Sequence, residues 1–487
     1  MERALGAYLI SVAACLACSP NAERTAPPGE RAPAEEETPG LPPPPTAMNP
    51  PSVPPSDGLF LDPDEPVVDV PPPVVPLKRR GLIERQVTCP DGGTTAVSGT
   101  VYIPSGALPL YNAMVYVPDA ELAPLTPGAS CICEVTGAPL VSALTDAAGR
   151  FVLENVPVGE NIPLVIQVGD WRREFNIGTV NACAENPVPD QTLRLPTRQA
   201  EGDLPNIAIS TGQLDALECL IRKLGIDPSE FTAPGGGGRV QMYAGQRGTD
   251  AFAEDFGGQP FPPADELWSD LETLSQYDIV MLSCGGRDDG DDKPEAAYQA
   301  MFDYVNQGGR MFASHYQSIW FQRGPAPFPD LAEFVDDGNL GELSAQVVTS
   351  FPKGEALSQW LVNTATTEEP GEVEIRGATH NIASENPEYA QRWIATEDPA
   401  SVQYISANTP LGVSEEDQCG RVVLSDIHVS PGEPLIDDFS DLTITFPEGC
   451  ITSGLTPQER VLAFMFFDIS ACVVPDSRPP VPPTIIR

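Results

Sequence analysis

The stretch that decides the fold runs from Asp278 to His315. It opens with DIVMLSCGG (278–286), a continuous apolar run ended by glycines, as expected of a strand buried on both faces of a parallel sheet. Pro294 opens a helix on which Tyr298, Met301, Phe302 and Val305 share one apolar face at the i, i+3, i+4, i+7 spacing. Gly308 and Gly309 stop that helix, and RMFASH (310–315) is the next strand. Two parallel strands joined by a helix form a βαβ unit, so a ligand site is expected at the carboxyl ends of its strands. His315 stands at that end.

The alternation continues on both sides. NIAIS (206–210) reads as a short strand. Leu214, Leu217, Ile221 and Leu224 line one face of a helix closed by Gly225, and GRVQMYAG (238–245) is a further strand. Leu267, Leu271 and Leu274 stripe a second helix. Beyond His315, QVVTSF (346–351), VEIRGAT (373–379) and RWIATE (392–397) read as shorter strands, and GRVVLSDIHVS (420–430) is a strong one ending at His428. The last helix is apolar from Val461 to Ile469 and opens with Thr456, Pro457 and Glu459 as capping box and N1 proline. An open, doubly wound, flavodoxin-like α/β domain is predicted over 203–474.

With 487 residues the chain is too long for one ordinary domain, yet 55 prolines and 42 glycines mean that much of it is not folded core. A formal net charge of −42 and a pI near 4.1 repel phosphate backbones and anionic headgroups, so no nucleic-acid partner is expected. At the N-terminus an apolar run from Ala4 to Ala14, too short for a stable span, leads into Val12-Ala13-Ala14-Cys15. That sequence resembles a bacterial lipobox, which implies a signal peptide over 1–15 and diacylation of Cys15. Cys18 is a poorer match, because Cys15 would then fill the place normally held by Leu or Val. Leu16 is not the Asp that retains many lipoproteins in the inner membrane, so an outer-membrane anchor, facing periplasm or cell surface, is the expectation.

Between Pro20 and Pro76 there are 19 prolines, which makes 16–85 an extended spacer unable to bury a core. Lys78, Arg79 and Arg80 end it as a solvated basic terminus. Over 86–198 the pattern changes to short strands between turns: VSGTVYIP (97–104), NAMVYVP (112–118), GRFVLENVP (149–157) and IPLVIQVG (162–169). This predicts an all-β Greek-key sandwich. Gly99-Thr100-Val101, Leu110 to Val117, Thr145-Asp-Ala-Ala-Gly-Arg-Phe151 and Asn155-Val-Pro-Val-Gly159 resemble the carboxypeptidase regulatory-like domains. The resemblance covers about 100 residues and implies a seven-stranded, transthyretin-like fold, also seen in starch-binding modules, without catalytic residues. Tyr102, Tyr111, Tyr116 and Trp171 are candidates for a sugar-stacking face, although alternating strand aromatics are more often core. A proline-rich tail over 475–487 ends the chain.

Nine further cysteines fit an oxidising compartment. Cys89, Cys131, Cys133 and Cys183 form an even set in the sandwich with three possible connectivities. Cys219, Cys284, Cys419, Cys450 and Cys472 leave at least one thiol free unless a pair crosses between domains. Disulfides are expected, with Cys419 and Cys450 among the candidates. Cys131-Ile-Cys133 lacks zinc-knuckle spacing, and that domain contains no histidine.

In order and spacing the α/β part resembles the class I glutamine amidotransferase-like fold, whose nucleophilic cysteine sits on a sharp elbow after a strand equivalent to RMFASH. Here His315 holds that place, between Ala313 and Gln317 rather than the glycines that permit a strained turn, so no Cys-His-Glu triad can be assembled and glutamine hydrolysis is not expected. Gly308-Gly309-Arg310-Met311-Phe312-Ala313-Ser314-His315, with Gly420-Arg-Val-Val423 leading to His428, is similar to the trehalose-utilisation (ThuA-like) family. That likeness covers about half of the domain and implies a sugar-related role.

All three histidines of the chain, 315, 380 and 428, fall in this domain and two end strands. Imidazole is suited to moving protons near neutral pH, so His315 and His428 are the candidate catalytic pair, with Asp426 placed to orient His428 or share a cation. The bland alternative is that each is separately satisfied at its strand end. Cys284 is a nucleophile only if unpaired and near a base. Asp288, Asp289, Asp291 and Asp292 rim the same edge but fail EF-hand spacing. Gly235 to Gly238 lack the Lys-Ser/Thr of a phosphate loop, and no Gly-x-Ser-x-Gly or HExxH motif is present. The reading is an envelope lipoprotein that displays both domains and binds carbohydrate or an envelope protein, with no cofactor or metal expected. The alternative is a histidine-dependent enzyme acting on a sugar or similar polar small molecule. Both histidines must reach one site for the enzyme reading to hold.

Overall fold

A computed structural model describes residues 80–286, 293–335, 338–429, 445–450 and 454–482. The expected signal peptide with Cys15 and Cys18, the linker up to residue 79, the loop with Asp288, Asp289, Asp291 and Asp292, and residues 483–487 lie outside the described residues.

Eight short strands follow the turn-punctuated pattern of the first half: β1 (Ala96–Tyr102), β2 (Met114–Pro118), β3 (Pro139–Leu144), β4 (Arg150–Leu153), β5 (Pro163–Val168), β6 (Trp171–Asn176), β7 (Glu185–Pro187) and β8 (Leu193–Arg194). They form two four-stranded sheets, β4-β1-β7 with β8 also on β1, and β3-β2-β5-β6. The TDAAGR turn shows why the register is fixed. Asp146 Oδ1 accepts from the amides of Ala148 (2.8 Å) and Arg150 (2.9 Å), Gly149 takes φ +71°, and Phe151 then enters the core.

The second half contains, in chain order, β9 (Ile207–Ser210), α1 (Leu217–Lys223), β10 (Phe231–Thr232), β11 (Val240–Tyr243), α2 (Asp265–Trp268), α3 (Leu271–Leu274), β12 (Ile279–Leu282), α4 (Glu295–Asn306), β13 (Arg310–Ser314), α5 (Ile319–Gln322), β14 (Ala332–Phe334), β15 (Asn339–Val347), α6 (Pro352–Asn363), β16 (Glu372–Thr379), β17 (Ile382–Glu385), β18 (Gln391–Glu397), β19 (Ala400–Thr409), β20 (Gly420–Ser425) and α7 (Pro457–Ser470). One sheet has the order β10-β11-β9-β12-β13-β20-β19-β18-β15-β16, with β14 and β17 paired apart from it. From β10 to β20 neighbours are parallel, and from β20 to β16 they are antiparallel. The expected doubly wound parallel sheet therefore describes only part of it. Two residues, Asp398 and Pro399, join β18 to β19, a link that suits a hairpin and is too short for a crossover.

Strand alternation divides the interior. Ile207, Ile209, Ile279, Met281, Phe312 and Val423 face one core, and Ala208, Val280, Leu282, Met311, Ala313 and Leu424 face another on the opposite side of the sheet. Two expected helices are shorter than their apolar stripes. Leu214 stays in a loop because its amide donates to the Cys284 carbonyl (3.0 Å), so α1 begins at Leu217. The 267–274 stripe breaks into α2 and α3, where Asp270 caps the second turn by accepting from the Glu272 amide. The Thr456–Glu459 capping box forms, and Glu459 also pairs with buried Lys223 at 2.7 Å.

The sandwich and the α/β part share one core and pack as one unit. The aromatic face of α7 is the seam: Phe464 stacks on Tyr111 (5.4 Å), and Phe466 and Phe467 meet Trp171 edge-on at 6.2 and 5.9 Å. Tyr116 and Trp171 are buried and Tyr111 is covered by α7, so these three candidates for sugar stacking are core. Tyr102 bonds Asp190 on the surface. The cysteines correct the expected grouping. Cys89 pairs with Cys183 inside the sandwich, but Cys131 and Cys133 cross to Cys419 and Cys472, and Cys219 pairs with Cys450. Cys284 is free. Arg80, at the linker end, is held to the sandwich by Glu174 at 2.6 Å.

Candidate functional site

Three loops at the carboxyl ends of β9, β13 and β20 meet. Strand pairing explains how: β13 and β20 are parallel neighbours with Ser314 opposite Ser425, so the residues that follow each leave the sheet side by side. His315 comes directly after Ser314, and His428 three residues after Ser425. Their rings stack at 3.8 Å between centroids, 27° from parallel.

The sharp elbow exists without flanking glycines. His315 has φ +48° and opens a 3-10 turn, His315–Ser318. Histidine is among the non-glycine types that most readily adopt this left-handed conformation. Its ring is held on every side: Nδ1 lies 2.6 Å from Thr379 Oγ1, Nε2 lies 3.3 Å from Asp215 Oδ2, and the face packs on His428.

Asp215 is the residue that the sequence reading missed. It lies on the loop between β9 and α1, which is clasped to the end of β12. A Cβ on Gly212 would stand 2.4 Å from the Cys284 carbonyl oxygen, so only glycine allows the approach, and the Leu214 amide completes the clasp. Asp215 Oδ1 accepts from His428 Nδ1 (2.9 Å) and from the Val429 amide (2.9 Å). Asp215 falls within the stretch whose Leu214–Leu224 spacing reads as a helix, five residues past the end of β9, so its place in the sequence carried no signal of the site.

Asp426 takes a different part. Its carboxylate accepts from the Asn381 amide and side chain, both at 2.8 Å, and lies 3.8 Å from His315 Nδ1, so the carboxylate bonded to His428 is Asp215. Asn381 Nδ2 also donates to Thr379 Oγ1 at 2.9 Å. Thr379 is the last residue of β16 and Asn381 lies in the turn to β17; neither was singled out from the sequence. His380 lies between them, outside the cluster, with its amide on the Gly338 carbonyl. Gly377 gives His428 room: a Cβ there would sit 3.2 Å from the imidazole Cδ2.

The electrostatics separate the two rings. Burial, with His428 adding to it, pushes His315 down to about 3, which keeps it neutral. Burial works against protonation of His428 as well, but bonded Asp215 outweighs it and raises the imidazole above its ordinary value. Burial likewise would raise Asp215, and the two histidines overcome it and hold the carboxylate near 2. Asp426 is pushed up to about 7 by burial, partly offset by the Asn381 bonds. Asp215 and His315 are sealed, whereas the His428 side chain retains 16% exposure and is the member of the cluster nearest to solvent.

Cys284 is no nucleophile in this setting. Its thiol is fully buried and pushed up to about 12 by burial, with Asp215 adding, so it is protonated at neutral pH.

No protein-family model matches the sequence, and no curated protein matches it. Among solved structures, a ThuA-like protein from Bacteroides uniformis is similar over 53% of this chain and 88% of its own, at 9% identity and a TM-score of 0.30. A type II cohesin–X-dockerin complex from Acetivibrio cellulolyticus is similar over 28% of this chain and 75% of its own, at 17% identity and a TM-score of 0.15. Both scores fall below the level of a shared fold. No helix among the described residues is long and apolar enough to cross a membrane.

Proposed function

We propose that this chain is an outer-membrane lipoprotein, anchored through Cys15 and extended on its proline-rich linker, whose α/β part acts on a sugar or similar polar small molecule. The observation that carries the reading is the convergence of Asp215, His315 and His428 from three strand ends into one cluster. Separately satisfied histidines need no shared carboxylate and no ring stacking. A surface display module needs no buried imidazole on a strained elbow, a conformation that costs of order 1–3 kcal/mol and persists only where its surroundings enforce it.

The residue types support proton transfer or polarisation of a hydroxyl or carbonyl. His428 is the exposed member and meets the ligand, Asp215 fixes its ring, and Thr379, Asn381 and Asp426 hold His315 behind it. The sandwich, in this reading a carboxypeptidase regulatory-like domain, buttresses the α/β part, here ThuA-like, and leaves ligand chemistry to it. The test is a thermal-shift screen of the full chain against mono- and disaccharides, repeated with His428→Gln. The reading expects a sugar-dependent rise in Tm that the variant loses, since a ligand bound only to the native state stabilises it. A sugar response unchanged by His428→Gln would move the binding site elsewhere and sink the reading. The mass of the mature N-terminal peptide checks the anchor: a Cys15 peptide without acyl chains refutes it.

A further inference from the structure

We propose that Asp215, His315 and His428 form a binding site for one divalent transition-metal ion, with zinc the best fit. This rests on the reading that the cluster is the functional site, and it names the cofactor. Three observations carry it.

The first is spacing. One ligand atom from each of the three side chains lies within 4.8 Å of the others. Asp215 Oδ2 and His315 Nε2 are 3.3 Å apart, and Asp215 Oδ1 and His428 Nδ1 are 2.9 Å apart. Ligands bound at about 2.0–2.2 Å in tetrahedral or octahedral arrangement stand roughly 2.8–3.6 Å from one another, so each ring lies at a coordination-edge distance from one oxygen of Asp215, the ion taking the place of the proton that His428 Nδ1 otherwise donates.

The second is an unmet pair of atoms. Thr379 Oγ1 accepts from Asn381 Nδ2 and lies 2.6 Å from His315 Nδ1, and the tautomer that carries the ring proton on Nδ1 donates it to that hydroxyl oxygen. The other nitrogen, Nε2, then turns a lone pair toward Asp215 Oδ2. Both atoms are buried, and neither makes a hydrogen bond among the described residues. Two lone pairs facing each other in a sealed site repel, and a cation held by both removes the conflict.

The third is the supporting shell. A metal-binding imidazole ordinarily donates its other ring N–H to an oxygen that is itself held, which is what the Thr379–Asn381–Asp426 set provides. Two nitrogens and one carboxylate favour zinc, cobalt or nickel over calcium and magnesium, which prefer oxygen. The open direction at His428 is where a metal-bound water or a sugar hydroxyl would sit.

The test uses the untagged full chain. After equilibration with Zn2+ and dialysis against excess Mg2+ and Ca2+, elemental analysis should find about one zinc per chain. Co2+ in its place should give visible d–d absorption bands that Zn2+ bleaches. Asp215→Asn and the double variant His315→Gln/His428→Gln should lose that equivalent. Asn381→Ala, which removes only the support, should keep it with an affinity weakened about 10- to 100-fold. Far-UV circular dichroism reports folding, and where a ligand variant does not fold, Asn381→Ala and the cobalt spectrum of the unaltered chain decide. No retained zinc, or zinc retained equally by the double-histidine variant, overturns the proposal, the latter by assigning the ion to the acidic surface. If zinc is absent while His428→Gln still abolishes the sugar-dependent shift, the metal falls and the functional reading stands. If zinc binds at these residues and no sugar shifts the chain, the metal stands and the sugar reading falls.

Discussion

Replacing Arg421 by Met should destabilise the protein severely without touching the candidate site. Arg421 lies at the amino end of β20, four residues before the strand's carboxyl end at Ser425. Its guanidinium is 1% exposed and donates to Asn408 Oδ1 (2.6 Å), Ser406 Oγ (3.0 Å), Asp468 Oδ2 (2.8 Å) and Asp476 Oδ1 (3.0 Å). Lys353 Nζ lies 2.8 Å from Asp468 and 3.3 Å from Asp476, so two cations face two carboxylates in a sealed cluster. Methionine keeps much of the volume and removes one charge, leaving two buried carboxylates to one lysine. Breaking a buried ion pair from one side costs about 3–5 kcal/mol, or roughly two to nearly four powers of ten in the folding equilibrium.

Urea unfolding at pH 7, followed by tryptophan fluorescence, measures the loss as a lowered midpoint at constant slope. Two further results are required of the same cause. Adding Asp476→Asn to the Arg421→Met chain restores charge balance and should recover part of the stability. The deficit should also shrink in acid: burial alone would raise Asp476, but Arg421 and Lys353 outweigh it and hold the carboxylate below its ordinary value. A depressed carboxylate stabilises the fold above its unfolded value, near 3.8, and that contribution is lost as pH falls through the folded value. A wild-type midpoint for Arg421→Met at pH 7, or a double variant less stable than the single one, refutes the charge argument. The proposed zinc and sugar binding should be unchanged in the folded fraction, because Arg421 lies at the amino end of β20 and the Asp215–His315–His428 cluster lies at the carboxyl ends of the strands.

Glu218 on α1 is fully buried and pushed up to about 7, chiefly by burial, so ionising it costs the folded state; the penalty is absent below its unfolded value, near 4.5, and complete above about 7. Glu218→Gln should therefore gain about 3 kcal/mol at pH 8.5 and nothing at pH 4, and equal unfolding midpoints at pH 8.5 would contradict it. A thiol reagent at pH 8 should give the native chain and its Cys284→Ala variant identical label counts, with a difference of one only after unfolding without reductant. Rapid labelling of Cys284 in the native protein would make the thiol a functional candidate again. Non-reducing peptide mapping should join Cys131 to Cys419 and Cys133 to Cys472, and removing either bridge by serine substitution should cost about 2–5 kcal/mol. A Cys131 peptide linked to Cys89 or Cys183 would overturn the shared-core arrangement.

Local pattern explains which elements were legible. The apolar run at 278–286, the stripe on α4 and the Thr456 capping box each depend on neighbours within one or two turns, and each forms where its residues specify. The failures share a cause. The helix expected from Leu214 starts late because a contact 70 residues away claims the Leu214 amide, and Tyr111 and Trp171 of the sandwich are packed inside because α7, some 300 residues later, covers them. The cysteines divided into an even and an odd set by position along the chain, and the fold pairs across that division.

The site follows the same rule with a larger consequence. His428 and Asp215 are 213 residues apart, and Asn381 and Asp426 are 45 apart, so no window of sequence contains the cluster. His315 and His428 were conspicuous because each ends a strand. Whether they meet depends on β20 pairing with β13, a fact of sheet order that periodicity does not encode. The glycines that were missing around His315 had argued against an elbow, yet a histidine locked by Thr379, Asp215 and a second ring takes the left-handed turn itself. The place after β13 where the sequence resemblance implied a nucleophile is held by His315, a buried imidazole bonded to Thr379 and set between Asp215 and His428.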